Sequence, residues 1–154
     1  MFKLKRGFTL VELLIVMAII GILASLGAGS YITAQMRGRD VTRKSDLKQI
    51  SNALELYYAD HGAYPAVGLV STGSDLTDGK TVYFKAIPDD PSSSYNYVYR
   101  LPDTPTNQKY QLFAYLENSK DIDILSGASI RTVSCGTATN CNFVVTSANS
   151  SPTE

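Results

Sequence analysis

The chain has 154 residues, enough for one domain with an appendage. Lys and Arg together number 14, as do Asp and Glu, so net charge gives no reason to expect a nucleic acid or an acidic partner. With one His, two Cys and no Trp, a catalytic triad or a metal centre is difficult to assemble. We therefore do not expect the protein to be an enzyme.

The chain begins with a short basic leader, residues 1–7, which is followed by an apolar segment, residues 8–31. Glu12 is the only charged residue of the apolar segment. At about 1.5 Å per residue, a helix over this segment is about 36 Å long, which is enough to cross the roughly 30 Å hydrocarbon core of a bilayer. We therefore predict a transmembrane helix over residues 8–31.

The helical pattern continues beyond this segment, without a proline until Pro65. Apolar residues recur on one face at spacings of three and four: Leu47, Ile50, Leu54 and Tyr57. Charged residues fall largely off this stripe: Arg43, Lys44, Lys48 and Glu55. We predict one long helix from Phe8 to about His61, ended by Gly62 and Pro65, with an amphipathic half over residues 32–62.

Residues 63–154 have a different composition, with short segments of β-forming residues separated by turn residues. The strand candidates are 81–87, 95–101, 110–116, 129–133 and 143–146. We predict an α+β fold in which a small antiparallel sheet packs on the amphipathic half of the helix, with Tyr57, Tyr58 and Tyr64 in the core. His61, at the helix end, is interpreted as a surface or capping residue.

Two conventional interpretations of the apolar segment are possible, and Glu12 argues against both. An ordinary secretory signal peptide would be cut before Ser30 and leave a secreted or membrane-anchored binding module, but the helical pattern runs straight through this point. A plain membrane anchor explains the length of the segment. However, a carboxylate in a membrane helix costs roughly 2.5–3.5 kcal/mol, and a plain anchor gives no reason to keep one.

The stretch KRGFTLVELL resembles the processing motif of the type IV pilin and type II secretion pseudopilin family. Basic residues precede Gly7, the hydrophobic Phe8 follows it, and Glu12 is the fifth residue after the Gly. The resemblance implies that a prepilin peptidase cuts after Gly7, removes residues 1–7 and N-methylates Phe8. It also implies a pilin-like lollipop fold, a long helix carrying a small β head, and a structural function.

The cut gives Glu12 a role, because it creates an ammonium group at Phe8, one helical turn away. Either charge alone is costly in lipid or in a helical bundle. The ammonium can pair with Glu12 of the same helix or, as the resemblance implies, with Glu12 of a neighbouring subunit, and the sequence leaves both open. We interpret Glu12 as an assembly residue, and residues 8–31 as a membrane anchor that becomes the core of a filament.

The resemblance further implies the partners and the location of the chain. The partners are other copies of the chain, other pilin-like subunits, a prepilin peptidase, an assembly ATPase, an inner-membrane platform protein and, before assembly, membrane lipid, with no specific nucleic acid. The chain is expected to cross the cytoplasmic membrane once, with its N-terminus on the cytoplasmic side and its head on the outer side. The filament is then either a periplasmic secretion pseudopilus or a type IV pilus at the cell surface.

Cys135 and Cys141 enclose five residues near the C-terminus. In a head outside the cytoplasm, a small disulfide loop is the favoured interpretation, and two free thiols are the alternative.

Acidic residues follow the third strand candidate, at Glu117, Asp121 and Asp123, and a second acidic pair is Asp89 and Asp90. Carboxylates are ligands that Ca²⁺ prefers. The chain resembles the major pseudopilins of type II secretion, which carry a calcium site in the loops between their C-terminal strands. The resemblance therefore makes Ca²⁺ a candidate cofactor here, although a solvated loop is the favoured alternative.

Overall fold

The structure is a computed structural model that describes residues 7–103, 106–125, 132–137 and 139–152. A long N-terminal helix and two small antiparallel sheets confirm the predicted α+β class. The elements are α1 (Leu10–His61), a 3₁₀ turn (Val67–Leu69), β1 (Leu76–Thr77), β2 (Val82–Phe84), β3 (Val98–Arg100), β4 (Gln111–Ala114) and β5 (Phe143–Thr146).

The chain divides after Met36 into two compact units. In the first unit, the apolar side chains of α1 from Leu10 to Leu23 are exposed on every face of the helix. Such a helix is stable when lipid or other helices surround it. Among the described residues no single straight helix is long and apolar enough to cross a membrane. Two stretches of α1 that meet at a bend, Leu10–Ser25 and Gly29–His61, satisfy the length and composition requirements together.

In the second unit, which we call the head, the apolar face of α1 forms the core. Leu47, Ile50 and Leu54 are each at most 1% exposed, as their spacing predicts. They cluster with the buried Tyr64 and with residues of the strands. Two further tyrosines of the predicted core pack against this cluster half-buried: Tyr57 and Tyr58.

Arg43 corrects the predicted pattern of this face. It was expected off the apolar stripe but is completely buried. It lies four residues before Leu47, and it therefore continues the buried stripe by one helical turn. Asp40, three residues earlier, is also buried. Of the other charged residues named for this half, Lys48 and Glu55 are exposed, whereas Lys44 is half-buried.

The helix ends at His61, where the sequence predicts, because Gly62 adopts a left-handed conformation. Its φ is 70°, a value that favours glycine and terminates helices. The Gly62 N–H donates to the carbonyl oxygen of Tyr58 at 2.7 Å. The Nδ1 atom of His61 lies 3.1 Å from the carbonyl oxygen of Tyr57, which agrees with its interpretation as a capping residue.

The strands form two sheets rather than one. β3, β4 and β5 make an antiparallel meander in that order, within the predicted segments 95–101, 110–116 and 143–146. β2 instead pairs with β1, a strand that the sequence did not predict. Of the strand candidate 129–133, residues 129–131 lie outside the described residues, and Thr132 and Val133 belong to no strand.

The strand β4 is buried on both faces. Leu112 and Ala114 belong to the core cluster against α1. Phe113 lies in a second, smaller cluster with Cys135 and Cys141, which form a disulfide with their Cα atoms 5.0 Å apart. The disulfide therefore stabilises the side of the meander that does not contribute to the main core.

We expect Leu54→Ala to lower the free energy of unfolding of the head by about 2–5 kcal/mol, because a wholly buried side chain is replaced by a cavity. Leu56→Ala is the matched control. Leu56 lies on the same helix but is 61% exposed, so its change should stay within about 0.5 kcal/mol. Denaturant unfolding of the full-length chain in detergent measures both values, and equal losses would contradict the placement of the core face.

Candidate functional site

The predicted processing site lies at the start of α1. Gly7 and Phe8 precede the helix in backbone without regular structure, and Phe8 is 82% exposed. Glu12 lies in the first turn of α1, where the helix dipole favours a carboxylate. Residues 1–6 of the predicted leader lie outside the described residues. The geometry leaves the Gly7–Phe8 bond accessible in front of an intact helix.

Thr9 and Glu12 form a capping box. The Glu12 carboxylate accepts hydrogen bonds from the Thr9 backbone N–H at 2.9 Å and from the Thr9 hydroxyl at 2.8 Å, and the Glu12 N–H donates to that hydroxyl at 3.2 Å. This satisfies backbone groups at the helix start. The T-x-x-E spacing signals the box, which the motif-based interpretation of Glu12 missed. Because the Phe8 nitrogen is still an amide in this chain, pairing of its ammonium with Glu12 stays a prediction.

A group of interacting charges, which we call the arginine cluster, comprises Arg39, Asp40, Arg43, Asp90 and Glu117. The Arg43 guanidinium binds Asp90 in a bidentate manner, with Nε and Nη2 each 2.8 Å from a carboxylate oxygen. Its Nη1 donates to Asp40 at 2.8 Å, and its Nη2 also donates to Glu117 at 2.8 Å. Three carboxylates therefore surround one buried cation.

The arginine cluster connects α1 to two separate parts of the head. Asp90 lies in the loop before β3, and Glu117 follows β4. The Asp40 carboxylate also accepts the backbone N–H groups of Glu117 at 2.9 Å and of Asn118 at 2.8 Å. Arg39 donates to Glu117 through Nε, at 2.9 Å, and through Nη2. These contacts fix the end of β4 against the helix.

Hydrogen bonds within the arginine cluster favour the charged forms of Arg43 and Glu117. Burial alone would lower the pKa of Arg43, but its hydrogen bonds with Asp90 and Glu117 outweigh this effect and raise the pKa. The hydrogen bond from Arg39, and to a smaller extent the one from Arg43, lowers the pKa of Glu117 despite its burial. The guanidinium carbon also lies 5.3 Å from the ring centre of Tyr95. Such a saturated network is suited to holding segments together.

The carboxylates predicted as calcium ligands are engaged by basic side chains. Glu117 belongs to the arginine cluster, whereas Asp121 and Asp123 accept hydrogen bonds from the Lys44 ammonium at 2.7 and 2.6 Å. In the second acidic pair, Asp89 is exposed, whereas Asp90 belongs to the arginine cluster. Within the described part of the chain, no group of three or more His, Cys, Asp or Glu side chains could hold a metal ion. The three candidate ligands are thus paired with basic side chains, and calcium binding stays a prediction.

Two family models match the sequence, one at each end. The prokaryotic N-terminal methylation motif matches residues 2–28, which include Gly7, Phe8 and Glu12. The model described as type II secretion system (T2SS), protein G, matches residues 30–128.

Similar proteins carry corresponding names. A type II secretion system core protein G of Aeromonas hydrophila is 33% identical over 123 residues, which cover 79% of this chain and 81% of the relative. Its namesake in Pseudomonas aeruginosa is 35% identical over 109 residues, 65% of this chain and 76% of the relative. The type IV major pilin protein PilA of Myxococcus xanthus is 41% identical over 60 residues, 39% of this chain and 27% of the relative. No solved structure matches the chain.

We expect Arg43→Lys to lower the free energy of unfolding of the head by about 2–3 kcal/mol, because an ammonium cannot reproduce the bidentate contact and leaves buried carboxylate oxygens unpaired. Arg37→Lys is the matched control, since Arg37 is exposed on the same helix, and its effect should stay within about 0.5 kcal/mol. Denaturant unfolding in detergent compares the two variants. A head that tolerates both substitutions equally would refute the structural role of the arginine cluster.

Proposed function

Because the chain belongs to the type II secretion system protein G family, we propose that it is a pseudopilin of such a system, a structural subunit that polymerises through its N-terminal helix. The family match over residues 30–128 carries this proposal, since it covers most of the head as well as the second half of α1. The methylation motif at residues 2–28 adds the processing signal of pilins and pseudopilins. We assign no enzymatic activity to the chain.

A prepilin peptidase acts on the Gly7–Phe8 bond in this proposal. The bond lies in exposed backbone before α1, and Gly7 has no side chain to obstruct a protease. Cleavage at this point leaves the hydrophobic helix on the mature protein. It also converts the Phe8 amide into an amine, which stays protonated after N-methylation and supplies a positive charge at the new N-terminus.

The new ammonium competes with Thr9 for the Glu12 carboxylate. Thr9 holds this carboxylate through neutral hydrogen-bond donors in the uncleaved chain, and a charge-assisted hydrogen bond from an ammonium is stronger. In the proposed filament, Glu12 accepts the Phe8 ammonium of a neighbouring subunit. The two charges then neutralise each other inside a packed helical bundle, and the pairing sets the axial position of each subunit.

Before assembly the chain is anchored in the cytoplasmic membrane, where lipid covers the apolar side chains of its first unit. The proposed topology places the N-terminus in the cytoplasm and the head in the periplasm. The disulfide between Cys135 and Cys141 supports an oxidising location for the head. The proposed partners are the prepilin peptidase, an assembly ATPase, an inner-membrane platform protein and other pilin-like subunits.

A surface type IV pilin is the second candidate function, because one relative is a major pilin. That similarity covers a smaller share of this chain than the similarity to protein G does, so we favour the secretion pseudopilin. A signal peptide cut before Ser30 is less well supported, because the methylation motif lies upstream of this position and α1 runs through it.

Glu12→Gln tests the assembly role of the Glu12 charge. Glutamine also forms capping boxes, so this variant keeps the contact with Thr9 and removes only the charge. We expect normal cleavage, methylation and head stability, but a loss of at least roughly tenfold in sedimentable filaments, which corresponds to about 1.4 kcal/mol per subunit. The yield is measured after overexpression together with the assembly components.

Glu55→Gln is the matched control for this experiment. Glu55 is an exposed carboxylate on the same helix, and it accepts a hydrogen bond from the Tyr64 hydroxyl at 3.1 Å, which a glutamine oxygen can also accept. We expect a normal filament yield for this variant. If Glu12→Gln assembles as well as Glu55→Gln, the Glu12 charge has no part in assembly.

A further inference from the structure

The loop that follows β4, residues 117–125, carries three carboxylates, and we call it the acidic loop. Of its apolar side chains, Ile122 is 96% exposed and Leu125 is 37% exposed, whereas Ile124 is half-buried. Its backbone turns back on itself, with the Asp121 N–H donating to the Asn118 carbonyl oxygen at 2.9 Å. Polar contacts therefore contribute much of what holds the acidic loop on the head.

Lys44 provides such contacts from α1. Its Nζ lies 2.7 Å from Oδ1 of Asp121 and 2.6 Å from Oδ2 of Asp123, and 5.8 Å from the ring centre of Phe143. Burial alone would lower the pKa of Lys44, but its hydrogen bonds with the two carboxylates raise it. The hydrogen bond from Lys44 lowers the pKa of Asp121. The ammonium and the Asp121 carboxylate are therefore both charged at neutral pH.

We infer that the Lys44 ammonium is the cation that organises the acidic loop, where the family resemblance implies a calcium ion. Ca²⁺ takes about six to eight oxygen ligands. Here two carboxylates converge on Lys44, and the third, Glu117, is bonded to Arg39 and Arg43. The acidic loop is consequently held on α1 without a metal, and its conformation is independent of Ca²⁺. This inference concerns the head alone and does not rest on filament assembly.

Hydrogen–deuterium exchange of the full-length chain in detergent tests the independence from calcium. The backbone amides of residues 118–125 are compared in EGTA and in millimolar CaCl₂. We expect identical exchange rates in the two conditions for the wild-type chain. Slower exchange of these amides in CaCl₂, with the amides of residues 47–54 unchanged, would show a bound calcium ion and overturn the inference.

Lys44→Met tests the role of the ammonium, because methionine keeps most of the length and the apolar stem of lysine but removes its charge. We expect the amides of residues 118–125 to exchange roughly tenfold faster in EGTA, since two ion pairs are lost together. Lys48→Met is the matched control, because Lys48 is exposed one turn further along α1. Equal exchange rates in these two variants would overturn the inference.

A milder variant keeps the test decisive if Lys44→Met destabilises the whole head. Asp123→Asn removes one of the two carboxylate partners at a side chain that is 51% exposed, and it leaves the contact with Asp121 in place. We expect an increase of about two- to fivefold in the exchange of residues 118–125, the range of a single partly exposed ion pair. Exchange at the wild-type rate would overturn the inference.

Discussion

The head depends on the interaction between the buried Arg43 guanidinium and three carboxylates. A charge removed from water is destabilising unless carboxylates and hydrogen bonds surround it, and here the partners come from three places. Asp40 lies on the same helix, whereas Asp90 and Glu117 are 47 and 74 residues away in sequence. The part of α1 that belongs to the head can therefore adopt only a position and rotation in which both Asp90 and Glu117 reach the guanidinium. Apolar contacts alone tolerate small shifts more readily than this directional network does.

Glu12 at the start of α1 and the carboxylates of the arginine cluster serve different purposes because their environments differ. In the head, each carboxylate of the arginine cluster is paired with a guanidinium, and Asp40 also caps the backbone that leaves β4. Glu12 has only Thr9 as a partner in the uncleaved chain, among the described residues, and this partner is neutral. A paired carboxylate stabilises one conformation, whereas a carboxylate without a cation is available for a new one. This contrast underlies the assignment of Glu12 to assembly and of the arginine cluster to stability.

The features that the sequence predicts well are those set by local spacing. The core face of α1, its end at His61 and Gly62, and the meander strands follow from periodicity and turn residues, which act over a few positions. Most partners of Arg43 and Lys44 could not be predicted in this way, because they come from distant segments, and only Asp40 lies within one helical turn of Arg43. The spacing of Arg43 from Leu47 does place it on the buried face, but a charged residue is normally expected on the exposed face of an amphipathic helix. The two-residue strand β1 is too short to have a periodic signal. The acidic loop resembles a metal site in the sequence because the Lys44 ammonium that pairs with its carboxylates comes from α1.

Processing at Gly7 is tested most directly by the mass of the N-terminal peptide of the protein isolated from its native cell envelope. A pseudopilin processed as proposed yields a peptide that begins at Phe8 and carries one additional methyl group. A peptide that begins at Ser30, or one that retains residues 1–7, would contradict prepilin processing. In either of those cases no ammonium forms at Phe8, and Glu12 has no partner with which to direct filament assembly.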